Sequence, residues 1–253
     1  MLRGAIIALS ATLYTFLFAF SGPRAQLVDA LGPLPACFFG VLIKVLPAAL
    51  LAAFPSRAHP AGTDYVSHGS RVSTALLLSS VGDLLMDFCE HPQLGGEAAF
   101  LGGLGAFLFA HLCYCAGFYT TVARHAPAIA FSVCAPAFLV LKFLAPHILD
   151  GAAAPLFPAV CVYVAVISGM LYLAAVRRAQ SARGYWLTVA GAALFMLSDT
   201  VLAWDKFAPP PKNGAGAVVW WFREPKALVM VTYFGAQALL AAGASAPGEK
   251  KEA

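Results

Sequence analysis

Charge is what this sequence has least of. Only 11% of its 253 residues are Asp, Glu, Lys or Arg, against 60% hydrophobic residues, and mean hydropathy is +0.78. A soluble domain of this length needs far more charge on its surface. Basic blocks are missing too: the net charge of +4 is dispersed, apart from the short tail "GEKKEA", so the chain lacks a nucleic-acid footprint. There is no CxxC pair among the six cysteines. Cys37, Cys113, Cys115, Cys134 and Cys161 lie in apolar runs, and Cys113 and Cys115, two apart, point in different directions on a helix. They read as small buried hydrophobes rather than a disulfide framework or a zinc site. No HxxxH or other clustered ligand set occurs, so neither a metal nor another cofactor is implied.

Long apolar runs, by contrast, recur about every 30 residues, each near the ~20 residues that cross ~30 Å of hydrocarbon as a helix. The fold class that follows is all-α, a polytopic membrane protein. Eight spans are expected, at 4–20, 34–54, 72–88, 98–121, 127–145, 156–176, 185–205 and 226–242, separated by stretches rich in breakers and charge. The first resembles a signal peptide, but its apolar run is longer than an ordinary h-region and reads as a span. Residues 1–245 then form one transmembrane domain and 246–253 a polar tail. Trp220 and Trp221 look like interfacial anchors.

Lysine and arginine set the orientation. With a cytosolic N-terminus, that side collects Arg3, Arg57, Arg71, Arg124, Arg177, Arg178, Arg183, Lys250 and Lys251, and the other side Arg24, Lys206, Lys212, Arg223 and Lys226. Nine against five places both termini in the cytosol. "SVGD" against "MLSD", and "HLCY" against "MVTY", hint at a four-plus-four repeat.

Few ionisable residues fall inside the spans: Lys44, Asp83, His111, Lys142 and Asp199, with Asp87 and Asp205 toward span ends. Each costs about 2.5–3.5 kcal/mol at mid-bilayer, so such groups face a bundle interior or a cavity. Asp83 and Asp199 each follow a small residue, Gly82 and Ser198, that permits close approach. Two carboxylates sharing a poorly hydrated cavity cannot both ionise easily, which leaves an acid and a base. The competing reading is structural, for instance an Asp83–Lys44 pair. Asp87 shares the face of Asp83 but reads better as a boundary carboxylate, and Asp205 as an interfacial or substrate-entrance residue. Lys44 is too deep to snorkel and needs an anionic partner, whereas Lys142 lies near a span end and can snorkel. His111 with Tyr114, and Tyr233 with Gln237, form polar faces that could line a cavity or simply join helices.

With these residues in view, the chain resembles the transmembrane lysoplasmalogenase, or YhhN-like, family. The likeness rests on "LIKVLP", "SSVGD", "AHLCYCAGF", "LSDTVLAWDKF" and "KALVMVTYFGAQALLA", in order across five spans. The fourth stretch is especially similar to that of vertebrate members. The resemblance implies hydrolysis of the vinyl ether bond of lysoplasmalogens with choline or ethanolamine head groups. The products would be a fatty aldehyde and a glycerophospho-alcohol. It further implies a lysophospholipid substrate, a bilayer setting, expected to be the endoplasmic reticulum membrane, and no cofactor.

Vinyl ether hydrolysis needs an acid for the β-carbon, an anion for the resulting cation and a base for water. On this reading Asp83 and Asp199 are catalytic, in an order left open. Lys44, His111, Tyr114, Ser198, Tyr233 and Gln237 hold the substrate or tune the pair. An ion-coupled transporter would use the same carboxylates; an intramembrane di-aspartyl protease and a lipid-binding scaffold are further alternatives. Oligomeric state stays open, a homodimer being one option.

Overall fold

A computed structural model describes residues 2–19, 21–55, 64–89, 94, 96–119, 126–151, 153–179, 181–208 and 225–246. Arg57, Arg124, Lys212, Trp220, Trp221, Arg223, Lys250, Lys251 and the tail from 247 lie outside these residues.

The described residues form helices: α1 (Leu2–Tyr14), continued by a π-helical turn (Thr15–Ala19), α2 (Ser21–Leu31), α3 (Pro33–Leu51), α4 (Asp64–Phe88), α5 (Gly96–Tyr119), α6 (Pro127–Leu149), α7 (Phe157–Val176), α8 (Ala182–Phe207) and α9 (Pro225–Ala244). Six of them, α3 and α5 to α9, are long and apolar enough to cross a membrane. The bent pair Ile6–Phe18 and Gly22–Leu31 makes a seventh if it counts as one span. The 25-residue α4 is long enough as well, at ~1.5 Å per residue, but Arg71, Asp83 and Asp87 make it more polar than the six.

Two boundaries differ from the sequence expectation. The stretch around Pro23, expected as a separator, is the helix α2, set at 87° to the first segment. Its Leu27 and Val28 are partly buried and its Gln26 and Asp29 exposed, the pattern of a short helix along a surface. It ends at Gly32, whose φ of +83° suits glycine and turns the chain into α3. The second difference is that α4 starts at Asp64, eight residues before Val72, because the polar stretch ahead of the apolar run continues the helix. There it uses His68, buried, whose Nδ1 lies 3.1 Å from the Gly117 carbonyl of α5.

The most extensive helix contacts are α4 on α5 and α8 on α9. Small residues explain the second. A Cβ on Gly191 would lie 3.0 Å from the Leu240 nitrogen and 3.1 Å from the Ala236 oxygen, so the two backbones nearly touch. α9 is the most enclosed of the membrane-length helices and α6 the least. On α6 only Ala137, Leu144 and Ile148 are buried, a one-sided stripe, while Phe131, Phe138 and Phe143 face outward. Lys142 is exposed on that outer surface, away from the interior.

Candidate active site

The C-terminal halves of α4 and α8 and the N-terminal halves of α3, α5 and α9 meet at one end of the bundle. They enclose a cavity of about 400 Å³ together with α1 and α2. Asp83 and Asp199 both line it, as do Asp87, Lys44, Ser198 and Tyr233.

Asp83 is 1% exposed. The Tyr233 hydroxyl of α9 donates to its Oδ2 at 2.6 Å, and the Lys44 Nζ stands 4.0 Å from its Oδ1. Gly82 lets α5 come close, since a Cβ there would lie 2.7 Å from the Phe107 ring. Lys44 itself donates to Asp87 Oδ1 at 2.7 Å, and the Tyr14 hydroxyl donates to the same oxygen at 2.8 Å. Asp87 is therefore more than a boundary carboxylate: it is the near partner of Lys44, with Asp83 in second place. Neighbouring helices supply the reason, because α1 and α3 fold over a position that depth alone assigns to the surface.

Asp199 sits in a different setting. The Tyr163 hydroxyl of α7 donates to its Oδ2 at 2.6 Å, and His111 Nε2 is 3.9 Å from that oxygen. No Lys or Arg nitrogen of the described residues lies within 4 Å of it. His111 is fully buried, packed edge-on against Phe195 at 4.6 Å and Tyr163 at 5.3 Å, and neither ring nitrogen has a hydrogen-bond partner among the described residues. Ser198, beside Asp199, donates to the Val229 carbonyl at 3.1 Å and so ties α8 to α9.

Asp199 also lines a second, apolar groove of about 90 Å³ bounded by α5, α6, α7 and α8. Phe107 and Leu202 line both spaces. The carboxylate thus stands where a polar chamber meets a hydrocarbon-lined one. The chamber carries further charge in Arg24, Lys206, Lys226 and Asp205, and Lys206 lies 4.5 Å from the centre of the Phe100 ring. No group of three or more His, Cys, Asp or Glu among the described residues converges as a metal site.

The chain matches the YhhN family over residues 39–244. It belongs to that family. This YhhN protein is 31% identical to the lysoplasmalogenase TMEM86B of Homo sapiens over 80% of its own length and 74% of the relative's. For the lysoplasmalogenase TMEM86B of Sus scrofa the figures are 32%, 81% and 75%. A protein of Mycobacterium bovis named lysoplasmalogenase is 31% identical, over 74% of this chain and 68% of its own. No solved structure matches. The family match begins inside α3, so Tyr14 and Arg24 lie before it, whereas both aspartates and Lys44 lie within it.

Of the eight residues given a catalytic or substrate role from the sequence, five line the cavity of this YhhN protein: Lys44, Asp83, Ser198, Asp199 and Tyr233; Asp87 and Asp205 line it as well. His111 stands behind Asp199. Tyr114 and Gln237 do not line the cavity; the Tyr114 hydroxyl donates to Gln237 Oε1 at 2.7 Å, joining α5 to α9. Missed were Tyr14 and Tyr163, which hold Asp87 and Asp199, and the cations of the chamber. Tyr163 had one signal, a lone phenol in the aliphatic run "VCVYVAVISG".

Proposed function

We propose that this YhhN protein is a lysoplasmalogenase, a hydrolase of ether bonds that works by acid–base catalysis with Asp83 and Asp199. The observation that carries the reading is that a buried carboxylate, Asp83, and a partly buried one, Asp199, line one cavity, the second at its junction with an apolar groove. The names of the relatives supply the reaction class, and nothing among them favours the ion-coupled transporter.

The reaction is R–CH=CH–O–R′ + H₂O → R–CH₂–CHO + R′–OH. A carboxylic acid delivers its proton to the β-carbon of the vinyl ether, and the double-bond electrons form that C–H bond. The oxocarbenium-like cation left on the oxygen-bearing carbon is stabilised by a nearby carboxylate. That carboxylate then takes a proton from water as the water oxygen bonds to the cation. The hemiacetal then collapses: its hydroxyl proton passes to the first carboxylate, restoring the acid, as the aldehyde C=O forms, and the C–O bond to glycerol breaks as the second carboxyl returns its proton to the glycerol oxygen.

On this reading Asp199 carries the proton: its near partners are the phenol of Tyr163 and the imidazole of His111, and no Lys or Arg nitrogen of the described residues lies within 4 Å of it. Asp83 carries the negative charge, a role supported by the Lys44 ammonium nearby. The chamber beyond Asp83, with Arg24, Lys206 and Lys226, suits a zwitterionic phosphate head group. In the membrane, α4 counts as the eighth span, both termini face the cytosol, and the endoplasmic reticulum is the expected compartment.

The test is incubation of the purified protein with a lysoplasmalogen and, separately, with the matching 1-acyl lysophospholipid. Aldehyde from the first and no fatty acid from the second is the expected result. In heavy water the aldehyde should gain one deuterium on the carbon next to the carbonyl. Fatty acid from the acyl lipid, or no aldehyde from the vinyl ether, would overturn the reading.

A further inference from the structure

The groove at Asp199 is more than a recess in the cavity wall. Leu104 of α5, Val140 and Leu144 of α6, Val160 and Ile167 of α7 and Ala203 of α8 build a hydrocarbon surface in which, among the described residues, Asp199 is the one carboxylate and Lys206 the one cation. The helices around it are not packed alike. α6 rests on α7 and more lightly on α8, while no extensive contact joins it to α5. The groove lies between α5 and α6, where their contact is slight at most. Its outer wall is the least enclosed membrane-length helix of the molecule, with Phe138 and Phe143 turned outward at 64% and 66% exposure.

We infer that the slot between α5 and α6 is a lateral opening to the bilayer, through which the hydrocarbon tail of a single-chain lipid reaches Asp199. This rests on the lysoplasmalogenase reading of the same site and adds the path and the tail-binding surface. The argument is one of partition. A lysolipid has a charged head and an apolar tail, and the bond to be cleaved joins them. The molecule offers a charged chamber and an apolar slot, and Asp199 stands where they join. With the head in the chamber and the tail in the slot, transfer of the tail from lipid to the apolar walls costs little. The vinyl ether is then delivered to the junction by the same partition that sorts its two ends. A slot open to the bilayer has a further consequence: the tail need not be enclosed, so methylenes beyond the groove remain in lipid and tails of different length are accepted.

Filling the slot tests this. Val140→Trp and Leu104→Trp narrow it from α6 and from α5, and Phe138→Trp on the outer surface of α6 is the control. Each is assayed with a long-chain lysoplasmalogen in phosphatidylcholine vesicles and with a water-soluble analogue bearing a short alkenyl chain. The slot variants should lose kcat/KM on the vesicle substrate by about tenfold or more. The short analogue should still be cleaved at close to the wild-type rate, which also shows that the variants fold. Equal loss on both substrates, or no loss on either, overturns the proposal.

A second arm does not depend on turnover. An uncleavable 1-alkyl glycerophosphocholine with a photoreactive diazirine at the tail terminus is bound to the wild-type protein and irradiated. Labelling on the facing sides of α5 and α6, around Leu104, Val140 and Leu144, is expected; labelling confined to other helices sinks the slot. If wild-type protein releases aldehyde from neither substrate, the lysoplasmalogenase reading fails, and the labelling result still decides whether a lipid tail occupies the slot.

Discussion

A carboxylate deep in a membrane protein persists only where a neighbour takes up its charge or shares its proton, and Asp83, Asp87 and Asp199, three of the four acidic residues lining the cavity, meet this requirement in different ways. Asp87 has an ammonium at 2.7 Å and a phenol at 2.8 Å, Asp83 a phenol at 2.6 Å with the ammonium farther off, and Asp199 a phenol alone at hydrogen-bond distance. Asp83→Asn and Asp199→Asn should each lower kcat about 10²–10⁴-fold while leaving the thermal unfolding of the detergent-solubilised protein close to wild type. Wild-type turnover in either folded variant would remove that residue from the mechanism. Tyr163→Phe takes away the phenol that orients Asp199 and should lower kcat about tenfold with little change in KM; a change in KM alone would mean that Tyr163 serves binding. Lys44→Met leaves Asp87 facing Tyr14 without its cation. Removing one member of a buried ion pair costs about 3–5 kcal/mol, and the lower end applies here because Asp87 borders the cavity. The double variant Lys44→Met/Asp87→Leu should recover most of that loss in denaturant unfolding. If it does not, the pair is not what holds α3 to α4 there.

Among the elements, the α8–α9 contact is set by glycine, and α6 is held from one side only, by α7 and more lightly by α8. Gly191→Ala puts a methyl group against backbone atoms of α9 at 3.0 and 3.1 Å, and backbone cannot turn aside as a side chain can. The helices must separate, at a cost of about 1–3 kcal/mol, and with them Ser198 and Asp199 shift relative to Tyr233. Gly169→Ala meets nothing within 4 Å and should be neutral or stabilising, since alanine favours helix by about 1 kcal/mol. Differential scanning of the two variants side by side separates the two cases. Most helices were legible in the sequence because each is a long apolar run between breakers. The surface helix α2 was not, because Ser21–Leu31 has neither a long apolar run nor a strong stripe, and its helicity rests on packing against α3.

At the scale of the whole molecule, the polar cavity lies at the end of the bundle that the charge bias assigns to the non-cytosolic side. Single cysteines placed in a cysteine-depleted background at Arg178 and at Asp150 should label with a membrane-impermeant maleimide from opposite sides, Arg178 only after the membrane is opened. The reverse pattern would invert the orientation. Because no three His, Cys, Asp or Glu converge among the described residues, a chelator such as EDTA should leave kcat within about twofold; a large loss restored by a divalent cation would point to a metal role outside the acid–base scheme.

The sequence by itself determined that the chain is an all-helical membrane protein, roughly where its helices run, and that Asp83, Asp199 and Lys44 are its costly residues. The reason is physical: hydrocarbon penalises charge so heavily that an ionisable group in an apolar run stands out without any knowledge of its neighbours. Five matching segments in order also sufficed for the family. Only the tertiary structure decided the partners. Asp87 takes Lys44, Tyr233 takes Asp83 and Tyr163 takes Asp199, each across two helices, while Tyr114 spends its hydroxyl on Gln237 away from the cavity. A tyrosine in a span carries no penalty that would mark it, and which face of its helix it occupies becomes meaningful only when the neighbouring helix is in place. The groove beside Asp199 is of the same kind, a product of how little α5 and α6 touch, and no run of residues along the chain could announce it.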